Sequence, residues 1–164
     1  MILLSAIILI TNLPTRAYAA EEIDGIRRIE RDGVTYLVID KDIYLLAKLI
    51  YHEARGEGLD GWTGVGEVVI NRVRSPKFPG TVREVIYQDG QFTGVEALDD
   101  VAPTEEMVNA AAKILSGKLR IFGNGDVLYF RNPMKTDNIP SSLPCDWGSH
   151  RYYTCINNHA FYVQ

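Results

Sequence analysis

Residues 42–74 read DIYLLAKLIYHEARGEGLDGWTGVGEVVINRVR. This stretch predicts two amphipathic helices joined by a glycine-bearing corner. Asp42 is placed to cap the first, which runs to about Arg55, and Gly56 is placed to stop it. Asp60 is placed to cap the second, Gly61 to about Arg74. Projected at about 100° per residue, Ile43, Leu45, Leu46, Ala47, Leu49, Ile50 and Ala54 share one broad arc, with Lys48, His52 and Arg55 opposite. Glu53 does not join the polar residues. It falls inside the apolar arc, between Leu46 and Leu49.

Working outward, Ser75-Pro76 and Phe78-Pro79-Gly80 break the second helix, and Thr81 caps a short one, Val82–Tyr87. Residues 88–102 have no clear period and two glycines, which suits a functional or mobile loop. Thr104 caps Glu105 to about Leu115, with Gly117 as the stop. Val127–Arg131 and His159–Val163 read as strands, and residues 132–158 as loop-rich. Upstream, Ile26–Ile39 reads as a β-hairpin about Asp32-Gly33. The expectation is one α+β domain, small and mostly helical with a few short strands. The hairpin and its lead occupy 20–41, and the main domain occupies 42–164.

The 164 residues are 46% hydrophobic and 23% charged, a composition that excludes disordered and low-complexity classes. A net charge of −4 gives no basic footprint, so no nucleic-acid partner is expected. Met1–Leu13 is an apolar run too short to span a bilayer, and Ala17-Tyr18-Ala19 supplies a small-residue cleavage pattern. Residues 1–19 therefore read as a signal peptide, the mature chain as exported to the periplasm, wall or medium, with no stable membrane insertion. In that compartment Cys145 and Cys155 are expected to pair, a bridge contributing roughly 2–3 kcal/mol.

Glu53 is the candidate for the chemistry. Burial on an apolar face favours its protonated form, as does the negative end of the helix dipole in the last turn. A carboxylic acid that keeps its proton near neutrality suits general-acid cleavage of a glycosidic bond. The competing reading is a buried ion pair with Arg72, which lies on the apolar side of the second helix. Glu57, one turn on, can form a carboxylate pair or be a solvated turn residue. His52-Glu53 does not complete a zinc-protease motif, because Gly56 occupies the place of the second histidine. No metal or cofactor is expected.

Several stretches together resemble the SleB/CwlJ family of bacterial cell-wall hydrolases, which includes spore-cortex-lytic enzymes. They are Leu45–Phe92, containing YHEARGE, NRV and YQDGQF; LYFRNP at 128–133; and INNHAFY at 156–162. The resemblance implies a lysozyme-like, lytic-transglycosylase-like domain acting on peptidoglycan glycan strands. It puts the catalytic glutamate at Glu53. Members are regarded as lytic transglycosylases, which cut between MurNAc and GlcNAc and leave a 1,6-anhydro-muramic end. The same resemblance suggests substrate contacts for Gln91, Phe92, Tyr129, Asn132, His159 and Phe161, each with a packing role as its alternative. Asn71 and Arg72 are better suited to structural hydrogen bonding, with Arg72 also a candidate to orient Glu53. Asn157 stands where the family often has glycine, and PCDWGSHRYYTC (144–155) looks like a family-variable insertion.

Other chemistries stay open at this level. Hydrolysis would require a second carboxylate roughly 5–9.5 Å from the first, for which Glu57, Glu67 and Glu96 are available. Cys145 preceding His159 admits a Cys/His wall peptidase or amidase. A monomer is expected.

Overall fold

The computed structural model describes residues 26–31, 34–123, 125–133 and 146–164. Strands β1 (Ile26–Arg31) and β2 (Val34–Ile39) form an antiparallel hairpin. Its register closes on the Arg31–Val34 pair, as a two-residue turn requires. The turn itself and the proposed leader lie outside the described residues.

Helices α1 (Asp40–Ala54) and α2 (Gly58–Arg74) follow. Both begin earlier than the capping pattern predicts. Asp60 sits within the first turn of α2, and Glu57 takes the N-cap position without a side-chain cap bond. The corner is instead closed by Glu57 N donating to Ala54 O at 2.9 Å and by Gly58 at φ 66°. An acidic residue inside the first turn still favours the helix through the dipole.

The later helices start where their threonines place them. Thr81 accepts from Glu84 N ahead of α3 (Val82–Ile86), and Thr104 accepts from Met107 N ahead of α4 (Glu105–Leu115). Gly117 is left-handed at φ 68°. Part of the expected 88–102 loop is a 3-10 helix, Val95–Asp100.

Strands β3 (Val127–Arg131), β4 (Arg151–Ile156) and β5 (His159–Val163) form an antiparallel sheet in the order β3-β5-β4. Strand β4 occupies sequence expected to be loop. Its residues alternate between exposed and half-buried, the signature of a one-sided edge strand.

Helix α2 is the axis of the domain, buried almost continuously from Gly61 to Arg72. Two bare faces let it be approached closely. A Cβ at Gly64 would stand 2.6 Å from the Phe161 ring of β5, and one at Gly66 would stand 2.8 Å from Ile114 of α4. Each glycine costs about 1 kcal/mol of helix propensity, offset by the packing it permits. The main core joins α1, α2, α3 and α4 through Leu46, Leu49, Val65, Val69, Ile86 and Ile114. A smaller cluster of Val68, Phe122, Val127, Phe161 and Val163 seats the sheet.

Candidate active site

The last turn of α1 delivers His52 and Glu53 to the rim of the core. Leu46 and Leu49 on the same arc are fully buried, whereas the Glu53 side chain is 21% exposed. Glu53 therefore stands at the edge of the apolar face and not beneath it. That position leaves the carboxyl group partly desolvated and still reachable.

His52 ties this turn to the loop that follows α3. Its Nε2 lies 2.9 Å from the Thr93 carbonyl oxygen and 3.9 Å from Glu53 Oε1. A carbonyl only accepts, so Nε2 carries a proton and donates to Thr93. Gly94 makes the approach possible: it is left-handed at φ 73°, and a Cβ there would stand 3.1 Å from the imidazole. Trp62 Nε1 donates to Ala54 O at 2.9 Å, a second bond to the carbonyl that already accepts from Glu57 N.

The loop so held carries Gln91 and Phe92. Gln91 is half-buried and Phe92 is buried. Phe92 packs with the main core, beside Phe130 and over the Arg72 guanidinium. It is a loop anchor, not a free sugar-stacking ring. Phe161 is likewise corrected. It is fully buried against Gly64, Phe122 and Phe130, so its ring packs in the core. His159 is 4% exposed and meets Phe130 edge-on at 5.2 Å. Tyr129 and Asn132 are half-buried. The Tyr129 ring stacks on His150 at 3.9 Å.

Arg72 does not pair with Glu53. Its Nε donates to Leu128 O at 2.8 Å, and its guanidinium lies 5.0–5.7 Å from the rings of Phe78, Phe92 and Tyr129. Burial lowers its pKa to about 10, well below the usual guanidinium range, with Tyr129 acting in the opposite direction. It remains charged at neutral pH as a cation enclosed by aromatic faces. Asn71 Nδ2 donates to Val127 O at 3.1 Å. Both residues tie α2 to β3.

Two of the other acids, Glu67 and Glu57, accept hydrogen bonds from backbone donors. Glu67 is fully buried, its Oε2 accepting from Ile121 N at 2.6 Å and Phe122 N at 2.8 Å, with Arg120 Nε 3.5 Å from Oε1. Glu57 accepts from Asn158 N and Nδ2, and its own carbonyl accepts from Asn157 Nδ2 at 2.6 Å. Glu96 is exposed on the 3-10 helix. Asn158 and His52 are the positions sequence reasoning passed over, one as an ordinary loop residue and the other as a solvated helix face.

Cys155 is an exposed free thiol whose Sγ donates to Asn157 O at 3.4 Å. Partial burial, then the Glu57 carboxylate, raise its pKa. Cys145, its expected partner, lies outside the described residues. Among the described residues no group of three His, Cys, Asp or Glu side chains is placed to hold a metal ion, and no helix is long and apolar enough to cross a membrane.

The family model for cell wall hydrolases matches residues 56–162. The chain belongs to the cell wall hydrolase family. The match begins three positions after Glu53. The spore cortex-lytic enzyme of Halalkalibacterium halodurans is 37% identical over 95 residues, covering 57% of this chain and 28% of that protein. The chain thus spans under a third of that relative's length. The cell wall hydrolase CwlJ of Bacillus subtilis is 30% identical over 126 residues, covering 74% of this chain and 84% of CwlJ. Among solved structures, the catalytic domain of the germination-specific lytic transglycosylase SleB from Bacillus anthracis superposes with a TM-score of 0.59 at 28% identity. That superposition covers 81% of this chain and 99% of that domain. The fold is the α+β arrangement of these catalytic domains. Within this cell wall hydrolase, Asn157 adopts φ 50°, a left-handed conformation that glycine takes without strain and asparagine tolerates.

Proposed function

We propose that the chain cleaves peptidoglycan glycan strands between MurNAc and GlcNAc as a lytic transglycosylase, with Glu53 as the catalytic residue. One observation carries the reading. Glu53 is a partly buried, solvent-reachable carboxyl group at the end of α1, on the edge of an apolar face, whereas Glu67 is fully buried. The likeness to a lytic transglycosylase domain supports the same chemistry.

The route needs one acid. Protonated Glu53 gives its proton to the glycosidic oxygen as the C1–O bond breaks and C1 gains oxocarbenium character. The resulting carboxylate takes the proton of the C6 hydroxyl, whose oxygen bonds to C1. Water is not consumed, and Glu53 ends protonated as it began. Burial at the helix end and the dipole both favour that resting state.

Gln91, displayed on the loop that His52 holds, offers an amide to N-acetyl or hydroxyl groups. Tyr129 and Asn132 are assigned to substrate contact, and His159, Phe92 and Phe161 to holding those elements in place. The leader exports the enzyme to the wall, where it acts as a monomer. Mass spectrometry of digested peptidoglycan tests the reading. Anhydro-muropeptides support it, whereas reducing ends indicate hydrolysis with a second carboxylate such as Glu96. Cut peptides indicate a Cys/His peptidase or amidase.

A further inference from the structure

A cavity of about 610 Å³ opens at the C-terminal end of α2 and contains none of the residues assigned to glycan cleavage. Helix α2 has 17 residues, so this end stands roughly 25 Å from the Glu57 corner. Arg74, Lys77 and Arg151 line the cavity against a single acidic side chain, Asp126. The Lys77 ammonium is held by a neutral partner, donating to Gln164 Oε1 at 2.7 Å, so its charge is not cancelled there.

Asn71 adds the decisive feature. It is 1% exposed, and its Oδ1 accepts no hydrogen bond. Its amide cannot simply be turned over, because Nδ2 is spent on Val127 O. The Cβ that Gly125 lacks would lie 3.8 Å from both Asn71 Oδ1 and Arg74 Nη1. A buried acceptor and a guanidinium nitrogen therefore border the same bare stretch of backbone. An acceptor left unpaired in a buried place is destabilising, and a ligand donor would relieve it.

We infer that this cavity binds the carboxylate end of a short peptide, its last amide N–H donating to Asn71 Oδ1 and its carboxylate lying among Arg74, Lys77 and Arg151. A C-terminal residue presents a donor and an anion a few bonds apart, matching the lining. An unsubstituted phosphodiester has the charge but no donor. Given the peptidoglycan reading above, on which the identity of the ligand rests, the peptide is the stem peptide of the wall. The site would hold a stem away from the bond being cut.

The test is titration of N-acetyl-D-alanyl-D-alanine into the isotope-labelled full chain, followed by NMR at the Gly125 amide and the Asn71 side-chain amide. The free acid should give saturable shifts at both. Its C-terminal amide should not. The doubly substituted variant Lys77→Gln, Arg151→Gln changes exposed side chains only and should weaken binding at least about tenfold, as expected for lost charge-assisted bonds. No saturable shift, equal shifts from the amidated peptide, or equally tight binding of inorganic phosphate at the same signals would overturn the proposal. The readout needs no glycan cleavage. Failure here therefore leaves Glu53 untouched, and failure of glycan cleavage leaves this binding result standing.

Discussion

Asn158 holds Glu57 by two hydrogen bonds, its backbone N to Oε2 at 2.9 Å and its Nδ2 to Oε1 at 3.0 Å. The pair joins the corner between α1 and α2 to the turn between β4 and β5. With both oxygens engaged, Glu57 serves as a brace for the fold. Glu57→Ala should lower unfolding free energy by about 1–3 kcal/mol in urea titrations, while the folded fraction still cleaves glycan. A loss of cleavage in fully folded Glu57→Ala protein would return Glu57 to the chemistry.

Asn157, beside it, combines a left-handed backbone at φ 50° with a 2.6 Å bond from Nδ2 to Glu57 O. Asn157→Ala loses the bond and keeps the strain, whereas Asn157→Gly loses the bond and removes the strain. Thermal melts should rank alanine below glycine by about 1 kcal/mol. The reverse order would mean that the backbone there is not left-handed in solution.

Glu67 presents the same residue type in a harsher setting. It is fully buried, and both Ile121 N and Phe122 N depend on it. Removing this acceptor strands the buried Phe122 N and the half-buried Ile121 N and should cost about 1–3 kcal/mol for each. Denaturant unfolding of Glu67→Ala should show that loss, and Glu67→Gln a smaller one. Near-native stability together with lost activity would instead make Glu67 the second catalytic acid.

Arg72 contributes a pH signature. Burial lowers its pKa to about 10, so above that pH the unfolded chain binds more protons than the folded one. Stability from this group therefore rises with pH only above about 10, and is flat below it. Arg72→Lys, which cannot supply the planar guanidinium between rings, should lose about 1–2 kcal/mol. Unfolding measured from pH 6 to 9 should show the same difference throughout. A difference that varied across that range would contradict a guanidinium held only by rings and a backbone carbonyl.

The parts of this fold legible in sequence are those governed by local chemistry. Thr81 and Thr104 cap their helices with their own hydroxyls, and the α1 arc is read from spacing alone. The α1–α2 corner is not legible in this way. Asp60 has the right side chain for a cap, but Glu57 is held by residues a hundred positions away, and that bond sets where α2 begins. Strand β4 escapes notice because prolines, cysteines and half-exposed residues dominate its neighbourhood. Phe161 misleads for a related reason: every residue of β5 is buried, so alternation does not say which side faces substrate. Glu67 looks like a spare acid because its partners are backbone amides, which leave no mark in the sequence. Glu53 stands out because a charged residue interrupts an apolar face, a purely local signal.

Replacing Glu53 with glutamine tests the central claim most directly. Glutamine keeps the shape and removes the acid. Purified wild-type protein should release anhydro-muropeptides, lighter by one water than reducing products, as read by mass spectrometry. The Glu53→Gln protein, with an unchanged circular dichroism spectrum and melting temperature, should release none. Fragments released at the wild-type rate by the folded variant would contradict the account.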